Sequence, residues 1–214
     1  MKTYDRIVQE SLKLFNEHGE RSITTNHIAA HLGISPGNLY YHFRNKEEII
    51  YQIFCQYKTY IQQHLQLPED RPLLMDDMIH YLDTAFVAMW QYRFMFYDLP
   101  GILSRNTRMQ EEYTVFLRQD LANILSRLFT EFSHVGIIRV APEDIEPLSV
   151  NTWLIVKFWF AFHQTANPTV PITEDTGRRG VLQVLSLLKP YVQPSFMPLY
   201  EELEAAFGRT ITSA

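Results

Sequence analysis

"TTNHIAAHLGISPGNLYYHF" (residues 24–43) decides the fold. Thr24 stands just ahead of Ile28, Ala29 and Leu32, so it suits the N-cap of a short helix, and Gly33 suits its end. Ser35 is the next N-cap. Pro36 then falls at the first helical position, where its missing N–H costs nothing and its fixed φ is already helical. Leu39 and Phe43, four apart, form the buried side of that second helix. Two short helices joined by "LGIS" have helix-turn-helix spacing.

The stretch also raises a chemical question. "SPGN" is small and exposes backbone, yet "LYYHF" follows at once. The aromatics could be a core patch. They could also be the outward face of a helix whose small N-terminal end meets a ligand. A recognition helix enters the major groove by that end. Ser35, Pro36, Gly37 and Asn38 leave room for close approach there. Asn38 can offer its carboxamide to a base edge, adenine being the geometric favourite. Tyr40, Tyr41 and His42 can hydrogen-bond to phosphates or stack on sugars. Lys46 can add positive charge. Thr24 and Thr25, at the start of the preceding helix, can clamp a phosphate with a hydroxyl and an N–H.

Working outward, the rest reads as helix almost throughout. Ile7, Val8, Ser11, Leu12, Leu14 and Phe15 make a helical stripe that Gly19 stops. "NKEEIIYQIFCQYKTYIQQHL" (45–65) starts with Asn45 as cap and puts Glu47 and Glu48 at the positive helix end. "PEDRP" (68–72) is a break and a reasonable boundary. Long helices are predicted near 73–95, 106–133, 143–165 and 174–191, with a shorter one near 195–207. "DLPG" (98–101), "HVGIIRVAPED" (134–144) and "NPTVPITED" (167–175) divide them. Only "GIIRV" (136–140) hints at a strand. The fold class is therefore all-α: an N-terminal three-helix helix-turn-helix domain (1–47) and a C-terminal helical ligand-binding and dimerisation domain (48–214).

Composition narrows the function classes. The chain has 214 residues, enough for a substantial core, and a net charge of −5. Residues 1–50 hold six basic and six acidic groups, so the whole negative excess lies beyond them. An acidic bulk with a neutral N-terminal part is compatible with local DNA contact. The single cysteine, Cys55, excludes an intramolecular disulfide and fits a reducing compartment, so a cytoplasmic location is expected. The N-terminus lacks signal-peptide character. "WLIVKFWFAF" (153–162) is too short for a bilayer and contains Lys157, so no membrane partner is expected. No nucleophile elbow, phosphate-cradling loop or Cys–His pair with supporting context occurs, which argues against an enzyme.

"FNEHGERSITTNHIAAHLGISPGNLYYHFRNKEEII" (15–50) resembles the DNA-binding region of the tetracycline-repressor (TetR) family of bacterial regulators. The shared elements are the F-x-x-x-G helix end, the T-T-x-x-I-A helix start, the L-G-I-S turn, L-Y-x-H-F, and the K-E-E opening of the fourth helix. The resemblance implies a homodimeric, ligand-responsive transcriptional regulator, a repressor that binds a palindromic double-stranded operator and is released by a small apolar or amphipathic effector. It places DNA contacts on Thr24, Thr25, Asn26, Ser35, Pro36, Gly37, Tyr40, Tyr41, His42 and Lys46; Asn38 is added from its helix position. One residue departs from the pattern. His27 stands where the family often has an acidic residue, which weakens the expected capping box. The alternative is a DNA-binding protein whose C-terminal domain meets a protein instead of a small molecule; a packed core without a cavity would favour it.

The aromatic supply of the C-terminal part suggests an effector pocket. Its candidates are Trp90, Arg93, Phe94, Tyr97, Tyr113, Trp153, Trp159 and His163, with Arg93 or His163 as polar anchor; bundle core is the competing role for each aromatic. The helices at 143–165 and 174–191 are the dimer candidates, the first through its nearly continuous apolar run and the second through Val181, Leu182, Val184, Leu185 and Leu188. No cofactor or metal is expected. His27 and His31 have zinc-compatible spacing but no evident third ligand, and the Asp76, Asp77, His80 and Asp83 group reads more simply as a solvated helix face.

Overall fold

A computed structural model describes residues 2–209, and these are helical nearly throughout. The helices are α1 (Thr3–His18), α2 (Thr25–Leu32), α3 (Pro36–His42), α4 (Lys46–His64), α5 (Met75–Gln91), α6 (Arg93–Tyr97), α7 (Leu99–Ser104), α8 (Thr107–Val115), α9 (Ala122–His134), α10 (Pro142–Ala166), α11 (Glu174–Leu188) and α12 (Met197–Gly208).

The expected caps are present. Ser35 Oγ accepts from the Asn38 N–H at 3.1 Å, and Asn45 Oδ1 from the Glu48 N–H at 2.9 Å. The α2 capping box closes despite His27: Thr24 Oγ1 accepts from the His27 N–H and His27 Nδ1 from the Thr24 N–H, both at 3.3 Å. Those distances are at the long end of the range, so the imidazole substitutes for a carboxylate with weaker bonds. Gly33 ends α2 at φ 66°, ψ 30°, the left-handed region that favours glycine. Its N–H and that of Ile34 reach back to the Ala30 and Ala29 carbonyls, closing the turn.

Several helical spans differ from expectation. The predicted 73–95 helix breaks at Tyr92, and the short α6 follows. "DLPG" is a helix start rather than a divider: Asp98 caps α7 by accepting from the Gly101 N–H, and Pro100 lies in its first turn. The 106–133 segment is continuous but contains a π-helical turn, Phe116–Leu121, between α8 and α9. "GIIRV" makes one antiparallel bridge, Ile138 to Val192, with the Arg139 N–H on the Tyr191 carbonyl at 2.7 Å.

One continuous apolar core runs from Ile7 to Phe207. The sequence boundary at 47/48 falls in the first turn of α4, and the break at 68–72 follows its end. This helix packs against α1 on one side and α5 on the other, so the two parts share a rod rather than a linker. In the C-terminal part α10 contacts α6, α9 and α11, and α11 contacts α5 and α12. The α10–α11 approach is close at Gly180, where an added Cβ would stand 2.7 Å from the Trp159 ring.

Candidate DNA-reading head and effector cavity

The α3 helix divides by face. Leu39 is fully buried and Phe43 nearly so, whereas Tyr41 is 85% exposed and Tyr40 49%. Ser35, Pro36, Gly37 and Asn38 are exposed at its N-terminal end, and Thr24 and Asn26 are exposed at the start of α2. Thr25 Oγ1 and Tyr40 Oη lie 3.1 Å apart, which locks the two helix faces into one surface. His42 is only half-exposed. Its ring is edge-on to Tyr41 and to Tyr4, and Tyr4 in turn stacks on Phe43.

Lys46 is turned away from that surface. Its Nζ donates to the Glu20 carbonyl at 2.8 Å and pairs with Glu20 Oε1 at 2.7 Å. Glu20 is buried, and its other oxygen takes Arg105 Nη2 at 2.7 Å. A buried carboxylate needs such partners, and this one claims Lys46 first. The exposed cation beside α3 is Arg44, which the sequence reading passed over. Its position directly after "YYHF" was the available signal.

The head is tied to the C-terminal part by polar contacts. Asn16 Nδ2 donates to the Gln91 carbonyl at 2.8 Å, and Asn16 Oδ1 accepts from the Phe94 N–H at 3.1 Å. This one side chain clamps the α5–α6 break, and Phe94 packs on Phe15 with ring centroids 5.2 Å apart. Asn106 Nδ2 donates to the Glu47 carbonyl at 2.9 Å. Arg21 pairs with Asp98. Glu112 accepts from Tyr51 and Lys58, bonds that hold its carboxyl below the usual range.

A cavity of about 100 Å³ lies inside the C-terminal bundle, walled by apolar side chains of α4, α5, α9, α10 and α11 with Phe96 of α6. Of the eight predicted pocket residues, only Trp153 lines it. Phe94 is spent on Phe15. The Arg93 guanidinium stacks 4.1 Å over the Trp90 ring at the surface. Tyr97 meets Phe160 edge-on. Trp159 donates its indole N–H to the Thr176 carbonyl at 2.6 Å and seals α10 against α11. His163 keeps a buried, unpartnered Nδ1 away from the cavity wall. Tyr113 is buried behind Trp153. The cavity is walled instead by Tyr57, Tyr81, Phe96, Phe129 and Phe132, with Ala85 and Ala88 among its smaller residues. Composition pointed to aromatic residues, and aromatic residues line the cavity, but apart from Trp153 they are different ones.

Of the acidic and histidine groups of the sequence, Asp77 and His31 have partners of their own, while Asp76, His80 and Asp83 are exposed. Asp77 takes both guanidinium nitrogens of Arg71 at 2.7 and 2.8 Å and accepts from the Leu74 N–H, so it caps α5. His31 Nε2 lies 3.2 Å from Glu10. Among the described residues no three His, Cys, Asp or Glu side chains gather as a metal site, and no helix is long and apolar enough to cross a membrane.

An exposed recognition-type helix on a three-helix head, joined to a helical bundle with an internal cavity, defines a helix-turn-helix DNA-binding regulator. The family models agree: residues 7–53 match the bacterial regulatory proteins of the TetR family, and residues 56–199 match the TetR bacterial transcriptional repressor model. The chain belongs to the TetR family of transcriptional regulators. The crystal structure of a TetR-family regulator from Marinobacter aquaeolei VT8 superposes with TM-score 0.87 at 43% identity, over 98% of this chain and 100% of that one. The Staphylococcus aureus negative transcriptional regulator IcaR of the biofilm operon icaADBC is 25% identical over 73% of this chain and 81% of its own length. The S. aureus HTH-type regulator SAB2452 is 41% identical over 66 residues, which span 30% of this chain and only 36% of that relative. The two family models meet inside α4, between residues 53 and 56.

Proposed function

We propose that this chain is a homodimeric repressor that reads a palindromic operator with α3 and is released by a small effector bound in the C-terminal cavity. The observation that carries the reading is the division of α3: its apolar side is spent on the core while Asn38, Tyr40 and Tyr41 stand in solvent. Asn38 supplies base contact. Thr24, Thr25, Asn26, Tyr40, Tyr41 and Arg44 supply phosphate and sugar contacts, with Ser35, Pro36 and Gly37 allowing close approach. Lys46 is assigned to holding Glu20. Repression is the role named for IcaR.

The second copy docks on α10. Val150, Leu154, Phe158 and Phe162 recur every four residues and are each 43–61% exposed, an apolar stripe that the described residues leave largely uncovered. The expected contribution of α11 is revised. Its Val181, Val184, Leu185 and Leu188 are buried in the protomer's own core, and Arg179, Gln183 and Ser186 face outward. The interface therefore centres on α10, with α11 at its rim.

Effector control runs through α6. Phe96 lines the cavity, and two residues away Phe94 holds Phe15 of the head. A ligand that favours one placement of α6 biases the separation of the two heads, provided it binds that state more tightly. The rival reading, a protein-binding C-terminal domain, calls for a filled core between these helices, and a cavity stands there instead. Selection of bound DNA from a random library is the test. An enriched palindrome with half-sites about one helical turn apart is expected; enrichment of no sequence above background overturns the reading.

A further inference from the structure

The cavity has an antechamber. A cleft of about 360 Å³ opens between the π-helical turn with the start of α9 on one side and α10 on the other, and it shares Leu121, Leu125 and Trp153 with the inner cavity. The two chambers differ in character. The inner one is apolar and smaller than the roughly 150 Å³ void known to hold benzene, so it takes a short alkyl segment and not a whole effector. The outer one is large enough for most of a small ligand.

One buried donor stands in the shared wall, Trp153, with the Tyr113 phenol next to it. Trp153 and Tyr113 are at least nine-tenths buried, and neither the indole N–H nor the phenol oxygen makes a hydrogen bond outside this pair among the described residues. Lys157 lines the outer cleft one turn beyond Trp153, with its amine 5.8 Å from the Tyr113 ring centre and 4.8 Å from that of Phe158. Burial alone draws the Lys157 pKa below the usual lysine value, with no carboxylate acting against it. Arg118 of the π-turn adds an exposed cation. Glu146, the acidic residue on the same cleft, is eleven residues from Lys157 along α10, about 16 Å at 1.5 Å per residue. An indole N–H and an ammonium can only donate. Buried donors without acceptors are costly, and an anionic acceptor would offset that cost most strongly.

We infer that the two chambers take one amphipathic carboxylate, its alkyl end in the inner cavity and its carboxylate where Trp153 and Lys157 meet on the outer cleft. This names the effector class of the cavity and rests on the effector reading above. A cationic head would meet Lys157 and Arg118 as like charges. A neutral alcohol would forgo the charge-assisted bonds.

Calorimetric titration of the full-length protein with octanoate, octan-1-ol and octylammonium tests it. Octanoate is expected to bind at least tenfold more tightly than either of the others. Lys157→Met should erase that preference, Lys157→Arg should retain it, and Leu125→Trp should abolish binding of all three by filling the shared wall. Equal binding of the three probes, binding of none, or an unchanged preference in a folded Lys157→Met protein overturns the assignment. Operator release separates this inference from the reading it rests on. Preferred octanoate binding without release supports the site and sinks effector control. Release by octylammonium or octanol alone sinks the carboxylate assignment and leaves effector control standing.

Discussion

Arg44 and Lys46 are two residues apart and both basic, yet the fold gives them different work. Arg44 is exposed beside α3, whereas Lys46 is held by buried Glu20. Arg44→Ala is therefore expected to weaken binding to all DNA sequences alike and to lower the salt slope of log K by about one, read from binding isotherms across salt concentrations. Lys46→Ala should leave that slope unchanged and cost about 1.5–3 kcal/mol of stability in denaturant unfolding, the range for a lost bond to a charged group. A reduced slope in Lys46→Ala would return that lysine to the DNA surface. No spacing rule could have separated the two, because what distinguishes them is Glu20, more than twenty positions earlier in the chain.

Among the elements, the short helices were the most legible and the long ones the least. Caps are local chemistry: Thr24, Ser35 and Asn45 each sit where their side chain reaches an N–H three residues on. The break at Tyr92 and the π-turn at 116–121 are set by packing against other helices, which a single segment does not encode. The start of α5 shows a mixture of both. Asp77 reads in sequence as a solvated acid, but it accepts from the Leu74 N–H as a cap and is held there by a bidentate bond from Arg71. The Arg71 bond, with help from the Leu74 N–H, lowers the Asp77 pKa. A depressed folded-state pKa means that the contribution to stability is present above the unfolded value of about 3.9 and lost as pH falls through the folded one. Asp77→Asn should thus lower Tm at pH 6–7, and the gap to the unmodified protein should close as pH drops below about 4. A gap independent of pH in thermal melts would count against this origin.

For the whole molecule, the all-α class and the family resemblance were readable because one compact motif carries both. The proposed dimer face and the cavity were only half readable. "WLIVKFWFAF" announces excess apolar surface, but which side chains face out is decided by α6, α9 and α11 packing on the other side. Phe158→Glu should convert the dimer to monomer in sedimentation velocity and abolish high-affinity operator binding, while leaving the helical circular dichroism intact. A dimer that survives this change would place the interface elsewhere. Val150 and Leu154 belong both to this stripe and to the rim of the outer cleft. The second copy of α10 would therefore roof the outer chamber, so that effector entry and subunit contact share one surface.

The π-turn at Phe116–Leu121 has a consequence for how this chain tolerates change in length. Its i→i+5 bonding holds about one residue more per turn than the α-helices on either side of it. That surplus residue is a local register insertion already absorbed by the fold. Removing exposed Gln119 would let α8 and α9 join as one regular helix without altering the phase of either. The shortened turn would reset Leu117 and Arg118, which line the outer cleft, and so reshape that chamber without touching the reading head.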